Sequence, residues 1–302
     1  MRRSMFQLSA AAFAAALALA ACGGGYDDPA PGTYNPPAPT PTPVMVGDTV
    51  ALTASGKIIS FNRATPGTMV GTVNVSGLGG GETLLGIDYR PADAKLYGLG
   101  STGNVYTIEP STGVATLKVA LKAAANDDDP FAALAGNDFA VDFNPVADRM
   151  RVVSNSGQNL RINVDTGLTT TDGAINRSPD AALVFGAAYT NSIAGSAATS
   201  LFDLELNSNV LTRQEPPNNG TLVNVGALGA KWVGAAGFDI AGGDNGLPLV
   251  AGRTTDSGPF ALYQVNLMTG AATFFPRTAT TAEQAAIGGA SGPELRDIAI
   301  VY

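Results

Sequence analysis

The 302-residue chain has no histidine, one cysteine and one tryptophan, and only 14% of its residues are charged. Without histidine there is no Ser-His-Asp or Cys-His catalysis and no imidazole-ligated metal. With Cys22 alone there is no internal disulfide. Chemistry is thereby confined to carboxylates, hydroxyl or lysine nucleophiles and oxygen-ligated ions. Positive charge is scarce as well, with 17 Lys and Arg against 25 Asp and Glu. Two of those arginines, and no acid, lie in the first 21 residues, so the remainder carries a charge of about −10. That balance argues against nucleic acid and anionic lipid surfaces as partners. Beyond the leader, no stretch keeps a helical period with caps.

What is present starts at the N-terminus. Arg2 and Arg3 precede an apolar run from Ala10 to Ala21, which suits an export signal and is too short to span a membrane. The run ends "LALAAC", which resembles a bacterial lipobox. Residues 1–21 therefore read as a lipoprotein signal peptide and Cys22 as the lipidation site. Each acyl methylene buried in a bilayer contributes about 0.8 kcal/mol, so several chains on one cysteine anchor permanently. Residue 23 is Gly rather than the Asp that often retains such proteins in the inner membrane, which points to the outer membrane. The segment "GGGYDDPAPGTYNPPAPTPTPVMVG" follows. Its proline and glycine cannot bury a core, so residues 22–47 read as a lipidated cysteine and disordered tether. Residues 48–302 remain for one globular domain.

That domain repeats itself. "GIDYRPADAKLYGLGSTGNVYTIEPSTGVAT" from Gly86 lies without gaps on "AVDFNPVADRMRVVSNSGQNLRINVDTGLTT" from Ala140, so that Asp88 meets Asp142, Gly103 meets Gly157 and Thr112-Gly113 meets Thr166-Gly167. A constant offset over this length marks a repeat architecture. Weaker copies start at Gly186 and Ala236. Within each unit apolar residues alternate between Gly-rich turns, as at Leu160, Ile162 and Val164, which predicts four short antiparallel strands. The domain opens at Asp48 with a unit lacking its first strand, and it ends in "LRDIAIVY", which resembles only a first strand. The expected fold is all-β: a propeller of five four-stranded blades, closed by the C-terminal strand completing the first blade. A six-bladed ring and a β-sandwich are the alternatives, and a sandwich does not account for the split unit.

"GETLLGIDYRP", "LYGLGSTGNVYTI", "VDFNPVADRMRVVSNSGQNLRINVDTG", "PPNNGTL", "AGFDI" and "RDIAI" together resemble the bacterial DUF4394 family. The resemblance spans the whole globular part. It implies an exported or lipid-anchored, propeller-like protein, and it brings no activity, substrate or catalytic residues with it.

Two constellations are candidate sites. Hairpin register places Asp142 opposite Arg151 and Arg151 opposite Arg161, a row with one positive charge in excess. Guanidinium forks suit planar oxyanions, so Asp142, Arg151 and Arg161 are candidate ligand-binding residues for a small anion. The structural alternative is an inter-blade ion network completed by a neighbouring acid. Asp88, Asp142, Asp239 and Asp297 recur near the inner strands and are candidate channel carboxylates. Their oxygens suit a structural Ca2+, but a repeated aspartate more often caps a turn or ties blades together, so no metal and no cofactor is expected. The acidic loop Asn126–Pro130 reads as solvated, and Gly77–Glu82 as a flexible connector. The expected role is a membrane-anchored, monomeric binding or scaffold module of the envelope. Its partner would be a small anion, a glycan or an envelope protein, with no nucleic acid. The alternatives are a carboxylate-based hydrolase or lyase acting on a glycan at the channel, and a purely structural envelope protein.

Overall fold

The computed structural model describes residues 41–177, 182–242 and 246–301. The export signal, Cys22 and most of the tether lie outside the described residues. Strands dominate what is described, and the one helical element among these residues is a 3-10 turn at Pro217–Asn219. None of the helices described is long and apolar enough to cross a membrane.

Blade 1 holds β1 (Thr49–Thr53), β2 (Lys57–Phe61) and β3 (Met69–Asn74). Blade 2 holds β4 (Leu84–Arg90), β5 (Lys95–Gly100), β6 (Asn104–Glu109) and β7 (Val114–Ala120). The short β8 (Lys122–Ala123) then pairs in parallel with the outer edge of blade 3. Blade 3 itself holds β9 (Phe139–Asn144), β10 (Arg149–Ser154), β11 (Asn159–Ile162) and β12 (Leu168–Thr171). Blade 4 holds β13 (Val184–Tyr189), β14 (Leu201–Glu205), β15 (Val210–Gln214) and β16 (Leu222–Ala227). Blade 5 holds β17 (Gly234–Ala241), β18 (Leu247–Arg253), β19 (Ala261–Val265) and β20 (Ala272–Phe274). The last strand, β21 (Leu295–Ile300), pairs antiparallel with β1, so blade 1 takes its innermost strand from the C-terminal end. The split unit of the sequence is this closure.

The inner strands β21, β4, β9, β13 and β17 pack in turn around a central axis. Each is flanked by two blades, which is why β4 is buried at every residue while the outer β7 is largely exposed. Five apolar clusters fill the five seams. The seam between blades 4 and 5 is rich in aromatics, with Trp232, Phe238 and Tyr263. The seam between blades 3 and 4 is the smallest, built on Ala140, Val153, Ala187, Tyr189 and Leu201. Its missing apolar area is occupied by polar side chains.

Two segments are more ordered than their composition suggests. Val44, inside the Pro-rich tether, donates its N–H to Ser111 O (2.8 Å). In the Gly77–Glu82 loop, the carboxylate of Glu82 accepts from Tyr106 OH, Thr102 and Asn104, and the Gly79 N–H donates to Tyr106 OH. A glycine run is pinned here by one buried acid at its end.

Candidate functional site

Four inner strands place an aspartate at the same level: Asp88 on β4, Asp142 on β9, Asp239 on β17 and Asp297 on β21. Each is at most 3% exposed. Each carboxylate reaches across a seam and accepts a backbone N–H of the next inner strand. Phe143 N donates to Asp88 Oδ2 (2.8 Å), Tyr189 N to Asp142 Oδ1 (3.0 Å), Ile300 N to Asp239 Oδ2 (2.6 Å) and Ile87 N to Asp297 Oδ2 (2.8 Å). Strands of neighbouring blades do not form ladders near the axis, so these N–H groups have no sheet partner, and the carboxylates supply one. Blade 4 departs from the pattern with Ala188, and near the axis the seam it shares with blade 5 is packed with apolar side chains.

One oxygen from each of Asp88, Asp142 and Asp239 lies within 4.8 Å of the others. No arginine or lysine forms an ion pair with any of the three among the described residues. Burial raises the pKa of Asp88, and the negative charges of Asp239 and Asp297 add to the effect. Asp142 is raised by burial and by the charges of Asp88 and Asp239. Asp297 is raised chiefly by burial. Asp239 is raised by burial to about 6, against the pull of the Ile300 and Ile240 N–H dipoles. Oδ1 of Asp239 is buried and has no hydrogen-bond donor.

The backbone is shaped to bring these groups together. Gly237 interrupts the register of β17 at a φ of +77°, and a Cβ there would meet Ile298 N at 2.3 Å and Asp297 Oδ1 at 2.4 Å. Glycine is required at this point on both counts.

The arginine row has the expected register, with Asp142 opposite Arg151 and Arg151 opposite Arg161. The charge partner is a different acid. Asp172, just beyond β12, receives Arg151 Nη1 (2.6 Å) and, in a two-point fork, Arg161 Nε (2.7 Å) and Nη2 (2.9 Å). Arg151 also donates from Nη1 to Asn159 Oδ1, from Nε to Tyr189 OH and from Nη2 to Asn218 Oδ1. The acid comes from the same blade, and the neighbouring blade supplies neutral partners. A second network ties blade 2 to blade 3, where Arg90 bridges Asp148 and Asp165. Sequence reasoning passed over Arg90 because its counterpart in the next unit is Asn144.

The polar seam holds one further group that the repeat pattern conceals. Asp203 on β14 is fully buried, and neither carboxylate oxygen has a donor. It sits opposite Thr212, and Gln214, whose Oε1 is also unpartnered, projects from the same face. Burial raises the Asp203 pKa to about 8, although the charge of Arg151 pulls it down.

Open volume lies away from the axis, and a cavity of about 400 Å³ reaches Asp172 beside Asp127 and Thr170. A cavity of about 900 Å³ runs along the outer half of blade 5, lined by Tyr263, Gln264, Phe274 and Arg277 among others. The axial carboxylates do not line it.

The profile of the family described as "Domain of unknown function (DUF4394)" matches residues 57–288. No curated protein matches the chain. Among solved structures, a protein of unknown function from Bacteroides thetaiotaomicron aligns with a TM-score of 0.45 and 14% identity, covering 86% of this chain. This chain spans 64% of that protein's length. A chain of the nidogen/laminin complex aligns with a TM-score of 0.45 and 11% identity, over 84% of this chain and 97% of its own. Glutaminyl cyclase from Myxococcus xanthus aligns with a TM-score of 0.41 and 11% identity, over 70% of this chain and 87% of its own.

Proposed function

The chain belongs to the DUF4394 family, and on that footing we propose that it is an exported, lipid-anchored envelope protein whose five-bladed propeller is a non-catalytic binding or scaffold module. The anchor is Cys22, and the membrane is the outer one. The ligand is a glycan, a small anion or another envelope protein, met at one end of the ring.

The observation that carries this reading is how the charged groups are used. Arg151 is 2% exposed and each of its three guanidinium nitrogens has a partner inside the seam, among Asp172, Asn159, Tyr189 and Asn218. The axial carboxylates hold neighbouring strands and are equally enclosed. A glycosidase needs two carboxyl groups flanking a bond that the substrate can bring between them. A sugar reaches Asp88 or Asp142 only if the blades part. Buried groups of this kind favour a scaffold over a catalyst.

Two measurements test the proposal. Cys22→Ser is expected to move the full-length protein from the membrane to the soluble fraction, and retained membrane attachment would sink the anchor. The purified full-length chain is expected to show no turnover of aryl glycosides or uronate polysaccharides. Turnover that Asp142→Asn abolishes would replace the scaffold reading with the hydrolase.

A further inference from the structure

We propose that the propeller axis is a cation site, with Asp88, Asp142 and Asp239 supplying three carboxylate oxygens to one calcium ion. The inference is independent of what the faces of the ring bind.

Distance is the first support. Three oxygens within 4.8 Å of one another can all be reached from their centre at about 2.8 Å or less, which approaches the 2.3–2.6 Å of Ca2+–O bonds. Magnesium, at about 2.0–2.1 Å and rigidly octahedral, fits the same triangle less well. Carboxylate oxygens are hard donors, and softer metals would look for imidazole or thiolate, neither of which the domain contains.

The second support is an unmet acceptor. Asp239 is 2% exposed; its Oδ2 is held by Ile300 N, and its Oδ1 completes no hydrogen bond, although the Ile240 N–H dipole acts on the carboxylate. A buried carboxylate oxygen left without a partner costs free energy, and here two other carboxylates stand beside it. Both oxygens of Asp88 already accept N–H groups, from Tyr89 and Phe143.

The third support is the departure from symmetry. If aspartate were needed only to close seams, the seam between blades 4 and 5 would need one. It has Ala188 instead and is closed by Trp232, Phe238 and Tyr263. An apolar seam therefore closes without an aspartate, and the seams that keep one bring Asp88, Asp142 and Asp239 together at the axis.

The test uses the full-length chain, refolded from denaturant with either CaCl2 or EGTA, gel-filtered, and its calcium counted by plasma mass spectrometry. Asp239→Asn and a loop control, Asp128→Asn with Asp129→Asn, are treated in parallel. Wild type and the loop control are expected to retain about one calcium per chain, and Asp239→Asn none. At calcium a hundredfold above its Kd, wild type is expected to melt about 5–10 °C higher than with EGTA. Asp239→Asn should show no such shift. Should Asp239→Asn not give the β spectrum of wild type, Asp142→Asn takes its place. Wild type without bound calcium, or an aspartate variant that binds as much as wild type, overturns the proposal. So does loss of calcium from the loop control alone.

Discussion

Asp142 and Arg151 are direct cross-strand partners on β9 and β10, yet they do not pair. Arg151 gives its charge-assisted bond to Asp172, and Asp142 accepts the N–H of Tyr189, whose hydroxyl in turn accepts Arg151 Nε. Tyr189 therefore stands between an acid and a base that the register sets face to face.

The first prediction concerns Asp172, which carries both arginines. Its side chain is 5% exposed, like that of the buried Arg151 at 2%, whereas Arg161 is 36% exposed. Removing one partner of a buried pair leaves an uncompensated charge and typically costs about 3–5 kcal/mol. An exposed pair contributes about 0–1 kcal/mol. Asp172→Ala is therefore expected to lower unfolding stability in urea several times more than Arg161→Ala. Equal losses would show that the buried half of the network carries no special weight.

The pH dependence of stability follows from Asp203. In the folded chain it keeps its proton up to about pH 8, whereas an unfolded aspartic acid releases it near pH 4. Between those values the folded state binds more protons, so the contribution is full below about pH 4 and is lost as the pH rises toward 8. The groups facing Asp203 are Arg151 from blade 3, and Thr212 and Gln214 on its own sheet. The axial aspartates shift in the same direction, so the informative quantity is a difference. Asp203→Asn is expected to match wild type near pH 4 and to exceed it in melting temperature at pH 8–9. Parallel pH profiles for the two proteins would remove Asp203 as the source.

Much of this architecture is legible in the chain. The offset of 54 residues between Asp88 and Asp142, and the split first unit, specify a closed ring because repeat length and strand number are set locally by turns such as Ser-Thr-Gly and Asp-Thr-Gly. The site was legible only in part. The register of Asp142, Arg151 and Arg161 follows from hairpin length, but the choice of partner depends on side-chain torsions. A signal for Asp172 did exist. Leu160 lies opposite Thr171 and Arg161 opposite Thr170, so one more step along β12 puts Asp172 on the face that carries Arg161. Asp203 was hidden for another reason. In the fourth unit the inner strand carries Ala188 in place of aspartate, and an acid appears instead on β14, where the repeat does not call for one. Convergence of three carboxylates at the axis joins residues up to 151 positions apart, from Asp88 to Asp239, and is settled only when the ring closes.

Glycine substitutions separate backbone cost from packing cost. Gly56 has a φ of +75° with open space where a Cβ would stand, whereas Gly237, at +77°, has the backbone of β21 there. Gly56→Ala is expected to cost about 1–2 kcal/mol, the penalty of a left-handed conformation. Gly237→Ala should cost clearly more, because Ile298 N at 2.3 Å belongs to a strand held on both sides. Similar losses in chemical denaturation would mean that β17 and β21 can part at no cost.

The final prediction concerns closure itself. β21 covers the edge of β1, pairing Val50 with Ala299 and Ala51 with Ile298, and the Val301 N–H reaches Asp48 O at 3.0 Å. The two ends of the domain therefore meet. Ending the chain before Leu295 exposes the N–H and C=O groups of β1 and removes Asp297 from the axis. A bare edge of a buried, apolar strand is a template for association with other chains. The truncated protein is expected to elute as aggregates in gel filtration. A permuted chain that carries residues 281–302 ahead of Asp48 through a short linker makes blade 1 continuous and should restore a monomer. A monomeric, cooperatively melting truncation would show that the four remaining blades hold the ring without its closing strand.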